Sequence, residues 1–76
     1  MKSLNELSIN EEGIIKEVKA SSNIKNRLMD IGFINGTKIK KVLTSPGDNM
    51  VAYLIKGSII AIRKDDTKDI MVEVIE

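Results

Sequence analysis

The stretch Arg27-Leu28-Met29-Asp30-Ile31-Gly32-Phe33-Ile34-Asn35-Gly36-Thr37 is where the chain changes its periodicity. Upstream, Ile24, Leu28 and Ile31 recur at i, i+4 and i+7, the spacing of one helical face. Ser21 and Ser22 stand where a hydroxyl can accept an orphan backbone N–H, so the spacing predicts a short helix over 23–31. Gly32 then falls at the left-handed C′ position that ends helices, and Phe33 at C″, placed to touch Leu28. Asn35-Gly36 is a turn signal, and beyond it the pattern is that of strands. A helix of about ten residues does not persist alone in water, so it must dock on the strands around it.

Before the helix, Ile14–Ala20 follows Gly13 and is rich in β-branched residues, which predicts the first strand. Leu4, Leu7 and Ile9 lie among polar residues in a segment expected to form one short turn packed on the strands. After the helix, Thr37–Thr44 carries Ile39, Val42 and Leu43. Its alternation slips at Lys40-Lys41, which predicts a bulge or a bend. Ser45-Pro46-Gly47-Asp48 reads as a loop. Met50–Ile55 and Ser58–Arg63 are apolar runs joined by Lys56-Gly57, a two-residue hairpin connection with glycine second. Lys64–Asp69 reads as a polar connection, and Ile70, Val72 and Val74 alternate with Met71 and Glu73 as a half-buried last strand. Five short strands and one helix inserted after the first predict a mainly β protein: a small closed barrel, one domain over residues 1–76.

Composition narrows the function. Cysteine and histidine are both absent, which removes thiolate metal sites, disulfides, and the commonest metal ligand and general base near neutral pH. No nucleophile has a base to activate it, and no phosphate-binding loop is present, so catalysis is not expected. The acidic tract Lys64-Asp65-Asp66-Thr67-Lys68-Asp69 lacks calcium-loop spacing and contains two lysines, so it reads as a solvated turn, with neither metal nor cofactor expected. Charge is nearly balanced, with 12 Lys and Arg against 11 Asp and Glu. Lys38, Lys40 and Lys41 form the one basic cluster, and Phe33 and Tyr53 are too few to stack bases, so nucleic acid is not the expected partner. The uncharged stretch Asn49–Ile55 is far shorter than the ~20 apolar residues of a membrane helix. The N-terminal residues carry acids where a signal peptide needs an apolar run, so a cytoplasmic location is expected.

What remains is recognition. Arg27 can dock a partner's carboxylate through its planar fork, or pair with Asp30 on its own helix. Met29, Met50 and Met71 are candidates for an adaptable apolar contact, against ordinary core filling, and Met29 and Met50 enter the expected set. Phe33 can serve as an anchor, although its place in the helix stop favours the core. With Lys25 and Lys56 as a polar rim, these residues form the expected partner-binding set. Gly32, Gly36 and Gly57 are the expected structural turns. A small nucleic-acid-binding barrel and a metal-responsive regulatory module are the alternatives.

The run R-L-M-D-I-G-F-I-N-G-T over 27–37 resembles the signature of the FeoA family, roughly R-L-x-[DE]-[LM]-G-[FI]-x-P-G-[TS]. Residues 45–50, S-P-G-D-N-M, and 56–63, K-G-S-I-I-A-I-R, resemble that family's second half. Asn35 departs from the pattern, which usually has proline there. The resemblance implies an SH3-like barrel with an inserted helix and a role as an accessory module of bacterial ferrous-iron uptake. It also implies partnership with FeoB, a membrane permease carrying a cytosolic GTPase domain, and membrane association only through that partner. The same domain type closes DtxR-like iron- and manganese-dependent repressors; here the domain is expected to stand alone, without a preceding helix-turn-helix, and not to act as a repressor.

Overall fold

The computed structural model describes residues 1–19, 21–47 and 49–75. Strands β1 (Lys2–Ser3), β2 (Glu12–Val18), β3 (Lys38–Thr44), β4 (Met50–Ile55), β5 (Ser58–Arg63) and β6 (Ile70–Val74) form one antiparallel sheet in the order β1-β6-β2-β3-β4-β5. Helix α1 (Ser22–Asp30) lies between β2 and β3, and a four-residue helix α2 (Lys64–Thr67) between β5 and β6. The five longer strands and the inserted helix are the expected architecture. The two-residue β1 is an addition, pairing Lys2 with Val72 and Ser3 with Met71. A pair so short carries no hydrophobic alternation, so no sequence pattern marks it.

Strand alternation sets the core. Ile39 of β3, Val51, Tyr53 and Ile55 of β4, and Ile70 and Val72 of β6 are buried, joined by Ile15, Leu28, Phe33, Leu4 and Leu7. Phe33 and Tyr53 meet edge to face at the centre, ring centroids 6.2 Å apart and planes at 90°. Gly13 lies inside β2, not before it, because the strand begins at Glu12. A side chain there would come within 3.2 Å of the Glu73 carbonyl and 3.3 Å of Val72 Cβ, so β2 and β6 would have to part by a few tenths of an ångström to admit one. Register shifts fall between Ile15 and Glu17 against β6, and between Lys41 and Leu43 against β4. The second lies beside the Lys40-Lys41 slip in the sequence.

Helix α1 stops as its sequence dictates. The Phe33 N–H donates to the Leu28 carbonyl at 2.9 Å and the Gly32 N–H to the Met29 carbonyl at 3.1 Å, the paired bonds of a Schellman stop, with Gly32 at φ +108°. Its start is different. Ser21 occupies the N-cap, but its hydroxyl makes no capping hydrogen bond; the Ser22 side chain lies outside the described residues. The β4–β5 hairpin turns through Lys56 and Gly57 at φ +51° and +80°, and Ile55 faces Ser58 across it. Positive φ at both central positions is the type I′ form that matches strand twist.

Three expectations are corrected. Ile9 is 47% exposed and Ile31 42% exposed, so neither joins the core. Ile31 is the C-cap, at φ −96° and ψ 5°, and it lines the same groove as Ile24 and Leu28 while staying partly open to solvent. Lys64–Thr67 is helical, and buried Thr67 makes it part of the structure rather than a solvated turn. Finally, the sheet is not closed by strand pairing among the described residues, since β1 and β5 are its two edges. The N-terminal turn Leu4–Glu6 and α2 bridge the gap. Asn5 Nδ2 donates to the Lys64 carbonyl at 2.9 Å, the Thr67 hydroxyl donates to Asn5 Oδ1, and the Ser3 hydroxyl donates to the Lys68 carbonyl at 2.8 Å. The Ala20 end of the first expected strand and Asp48 of the loop lie outside the described residues.

Candidate docking surface

Helix α1 presents its two sides to two clefts, because residues 25 and 29 share a helical face while 27 lies about 200° around from 25. On one side, Arg27 lines a groove of about 390 Å³ with Ile24, Asp30 and Ile31 of the helix region, Ala61 and Ile62 of β5, and Asp66 of α2. Leu28 forms its floor. On the other, Lys25 and Met29 line a second cleft with Lys16, Glu17 and Val18 of β2 and Asn35 of the turn. Met50 lies at the far end of the sheet beside Asn49, Arg63 and Asp65, and Lys56 beside Leu54, Lys38 and Lys40. The six expected binding residues therefore do not share one surface. Lys25 and Met29 come together in a cleft that buried Phe33 also lines, Arg27 faces the opposite way, and Met50 and Lys56 belong to the sheet.

Phe33 is corrected outright as an anchor: it is 0% exposed and sits against Tyr53. Its amide is committed to the helix stop, which draws the ring inward. Arg27 makes no ion pair among the described residues, so the Asp30 pairing is not formed, and the guanidinium is exposed at the rim of its groove. Asp66 on the opposite rim accepts from Arg63 Nε at 3.3 Å. The residues that sequence reading missed here are Ala61 and Asp66. Nothing in their local pattern marks them, because a strand far along the chain supplies one wall and α1 the other.

Tyr53 is fully buried, and burial pushes its phenol up to about 12, with the Thr67 hydroxyl offsetting this in small part. Tyr53 Oη has no hydrogen-bond partner of acceptable geometry, since Thr67 donates to Asn5. The Glu11 carboxylate accepts from the Ser8 N–H at 2.9 Å and from Lys2 Nζ at 3.2 Å, which holds it below its ordinary range. Among the described residues no three carboxylates converge as a metal site would require. The basic cluster is split: Lys38 pairs with Glu12 at 3.2 Å, Lys40 faces outward, and Lys41 Nζ reaches the Asn5 carbonyl on the inner side. No described helix is long and apolar enough to cross a membrane.

The family model described as the FeoA domain matches residues 2–74. The chain belongs to the FeoA family. It is 33% identical over 72 residues to a Campylobacter jejuni protein provisionally named Fe(2+) transport protein A, covering 95% of this chain and 97% of that one. A Porphyromonas gingivalis Fe(2+) transport protein A/FeoB fusion protein is 29% identical over 72 residues, covering 95% of this chain and 8% of the fusion. Among solved structures, the FeoA-like protein of Clostridium acetobutylicum superimposes with a TM-score of 0.89 at 29% identity, over 99% of this chain and 87% of that one. The shared FeoA fold is the SH3-like one.

Proposed function

We propose that this FeoA protein is a non-catalytic accessory of ferrous-iron transport that docks on the cytosolic part of an FeoB-like permease and modulates its transport or GTPase cycle. The observation that carries the reading is the Porphyromonas fusion, in which an FeoA unit and an FeoB unit share one chain. Fusion of two units fits partners that must meet, because a tether raises their effective concentration. The groove between α1 and β5 is the docking site this reading favours. It offers an apolar wall of Ile24, Ile31, Ala61 and Ile62, and the Arg27 guanidinium, which makes no ion pair among the described residues. Arginine beside an apolar trough is the residue type that most often anchors a protein interface.

Arg27→Glu is expected to weaken binding to the permease's soluble domain about ten-fold or more, by setting a negative charge where a carboxylate would dock. The melting temperature should hold, because an exposed charge swap moves stability by under ~0.5 kcal/mol. Calorimetric titration checks the first and thermal unfolding the second. If the wild-type chain binds neither the soluble domain nor the intact permease, and its deletion leaves ferrous-iron uptake unchanged, the reading is wrong.

A further inference from the structure

The outer face of β3, β4 and β5 is unusual for a sheet that needs only one face for its core. Cross-strand register puts Lys40, Leu54 and Ile59 in one row, and Leu43, Ala52 and Ala61 in the next. Met50 and Arg63 face each other in the row at the end. Directly opposed residues of an antiparallel sheet point to the same side, and the buried set Val51, Tyr53 and Ile55 fixes that side as the outer one. Ile59 is 65% exposed and Leu43 54% exposed, with Leu54 and Met50 also open to solvent. Ala52 at the centre is sheltered by these larger neighbours.

Cations outnumber anions around this apolar centre, with Glu12 in the cleft beside Leu54 and Asp65 beside Met50 and Arg63. From Lys38 to Arg63 the only acidic residue in the sequence is Asp48, which lies outside the described residues. Lys38, Lys40 and Lys56 flank the cleft beside Leu54, and Arg63 stands at the other end. Glu12 answers Lys38 and Asp66 answers Arg63. Lys40 and Lys56 make no ion pair among the described residues.

We infer that this face rests on a membrane surface rich in anionic phospholipid, with Ile59, Leu54 and Leu43 entering the boundary between headgroups and acyl chains and Lys40 and Lys56 against the phosphates. Two observations favour lipid over other occupants. The apolar side chains project from a face, as insertion requires, while the groove beside α1 is the part shaped to receive another chain's side chains. The unmatched charges are lysines on long stems, which can lie along apolar surface and deliver their ammonium groups to the headgroups. A second copy of this chain would bring Lys40 and Lys56 against their own kind, and a nucleic acid would meet an apolar centre with no aromatic ring. The face borders the Arg27 groove at Ala61, but the side chains assigned to lipid are not among those lining that groove, so their substitution leaves Arg27 in place, and lipid contact adds to membrane association through the proposed partner.

The test is flotation of the purified chain with vesicles of phosphatidylcholine alone and of phosphatidylcholine mixed with phosphatidylglycerol. Partitioning into the mixed vesicles is expected to exceed that into neutral ones about ten-fold, and to fall with added salt. Ile59→Ser with Leu54→Ser should lower it about ten-fold, and Lys40→Glu with Lys56→Glu should erase the preference for anionic lipid. Lys19→Glu, on another part of the molecule, should change it little. Thermal unfolding of each variant checks that the fold is kept. Three results overturn the inference: no partitioning into either vesicle, equal partitioning into both, or partitioning that the paired serine variant leaves intact. Concentration-dependent dimerisation abolished by Ile59→Ser would overturn it in favour of a second copy.

Discussion

The two faces of the β3–β4–β5 sheet are built from similar residues and serve opposite ends. The inner face sends Ile39, Val51, Tyr53 and Ile55 into the core, each at 0–1% exposure. The outer face carries Leu43, Met50, Leu54 and Ile59 at 36–65% exposure. Both are apolar, so hydrophobicity alone does not say which one builds the fold. The inner face has Phe33, Leu4, Leu7 and the β6 side chains packed upon it, whereas the outer is edged by charged side chains, Lys38, Lys40, Lys56 and Glu12 among them. An exposed apolar face that folding does not use implies contact with something else.

Phe33→Ala breaks the comparison most severely from the inner side. It empties the centre of the core, and a cost of about 3–5 kcal/mol is expected. Against the ~5–15 kcal/mol that small domains possess, that leaves the chain largely unfolded or close to it, as circular dichroism on heating would show. If Phe33→Ala melted like the wild type, the inner face would not be the core.

Tyr53 sharpens the comparison through pH. Its phenol is raised to about 12 in the fold, from an ordinary value of 10.0. A group whose folded value lies above its unfolded one stabilises fully below the unfolded value, and loses that contribution as pH rises through the folded one. Stability should therefore decline between pH ~10 and ~12, by up to about 2–3 kcal/mol. Tyr53→Phe should flatten that decline and change stability at pH 7 by under ~1 kcal/mol, since the hydroxyl has no hydrogen bond to lose. Denaturant titrations at a series of pH values read both effects.

Gly32→Val tests how the helix is tied to the inner face. A Cβ at this position would sit 3.7 Å from Ile55 Cδ1 and from Lys56 Cδ, ordinary contact distances, so space is not the obstacle. The backbone is, at φ +108°, and a β-branched residue there should cost of order 1–2 kcal/mol. That corresponds to a fall in melting temperature of ~4–8 °C or more. The smallest effect belongs to the outer face. Ile59→Ala should move stability by under ~0.5 kcal/mol, because an exposed side chain has little burial to lose. A large loss would mean that the outer face is part of the folding core after all.

Local chemistry made much of this protein legible from its residues. The stop at Gly32-Phe33, the turn at Lys56-Gly57 and the bounds of β4 and β5 depend on neighbours within a few positions, and backbone sterics act over that range. The Lys40-Lys41 slip announced a register shift for the same reason, since alternation is counted along one strand. The start of the helix was less legible: serine at a cap position permits a hydrogen bond without requiring one. Ile31 showed what periodicity leaves open: it shares the groove with Ile24 and Leu28, as the i, i+4, i+7 spacing has it, but no element covers it fully.

Tertiary structure decided what the chain brings together. Arg27 and Asp66 line one groove only because β5 and α2 return to the side of α1, and Phe33 is lost as an anchor only because the core closes over it. The sequence by itself determined five main strands, one inserted helix and the FeoA signature, all of which rest on short-range pattern and sterics. It did not determine which of two apolar faces would be covered, how α2 would bridge the sheet edges through Asn5 and Thr67, or that the candidate residues would divide among separate surfaces. Those depend on contacts between residues tens of positions apart, and no local periodicity encodes such contacts.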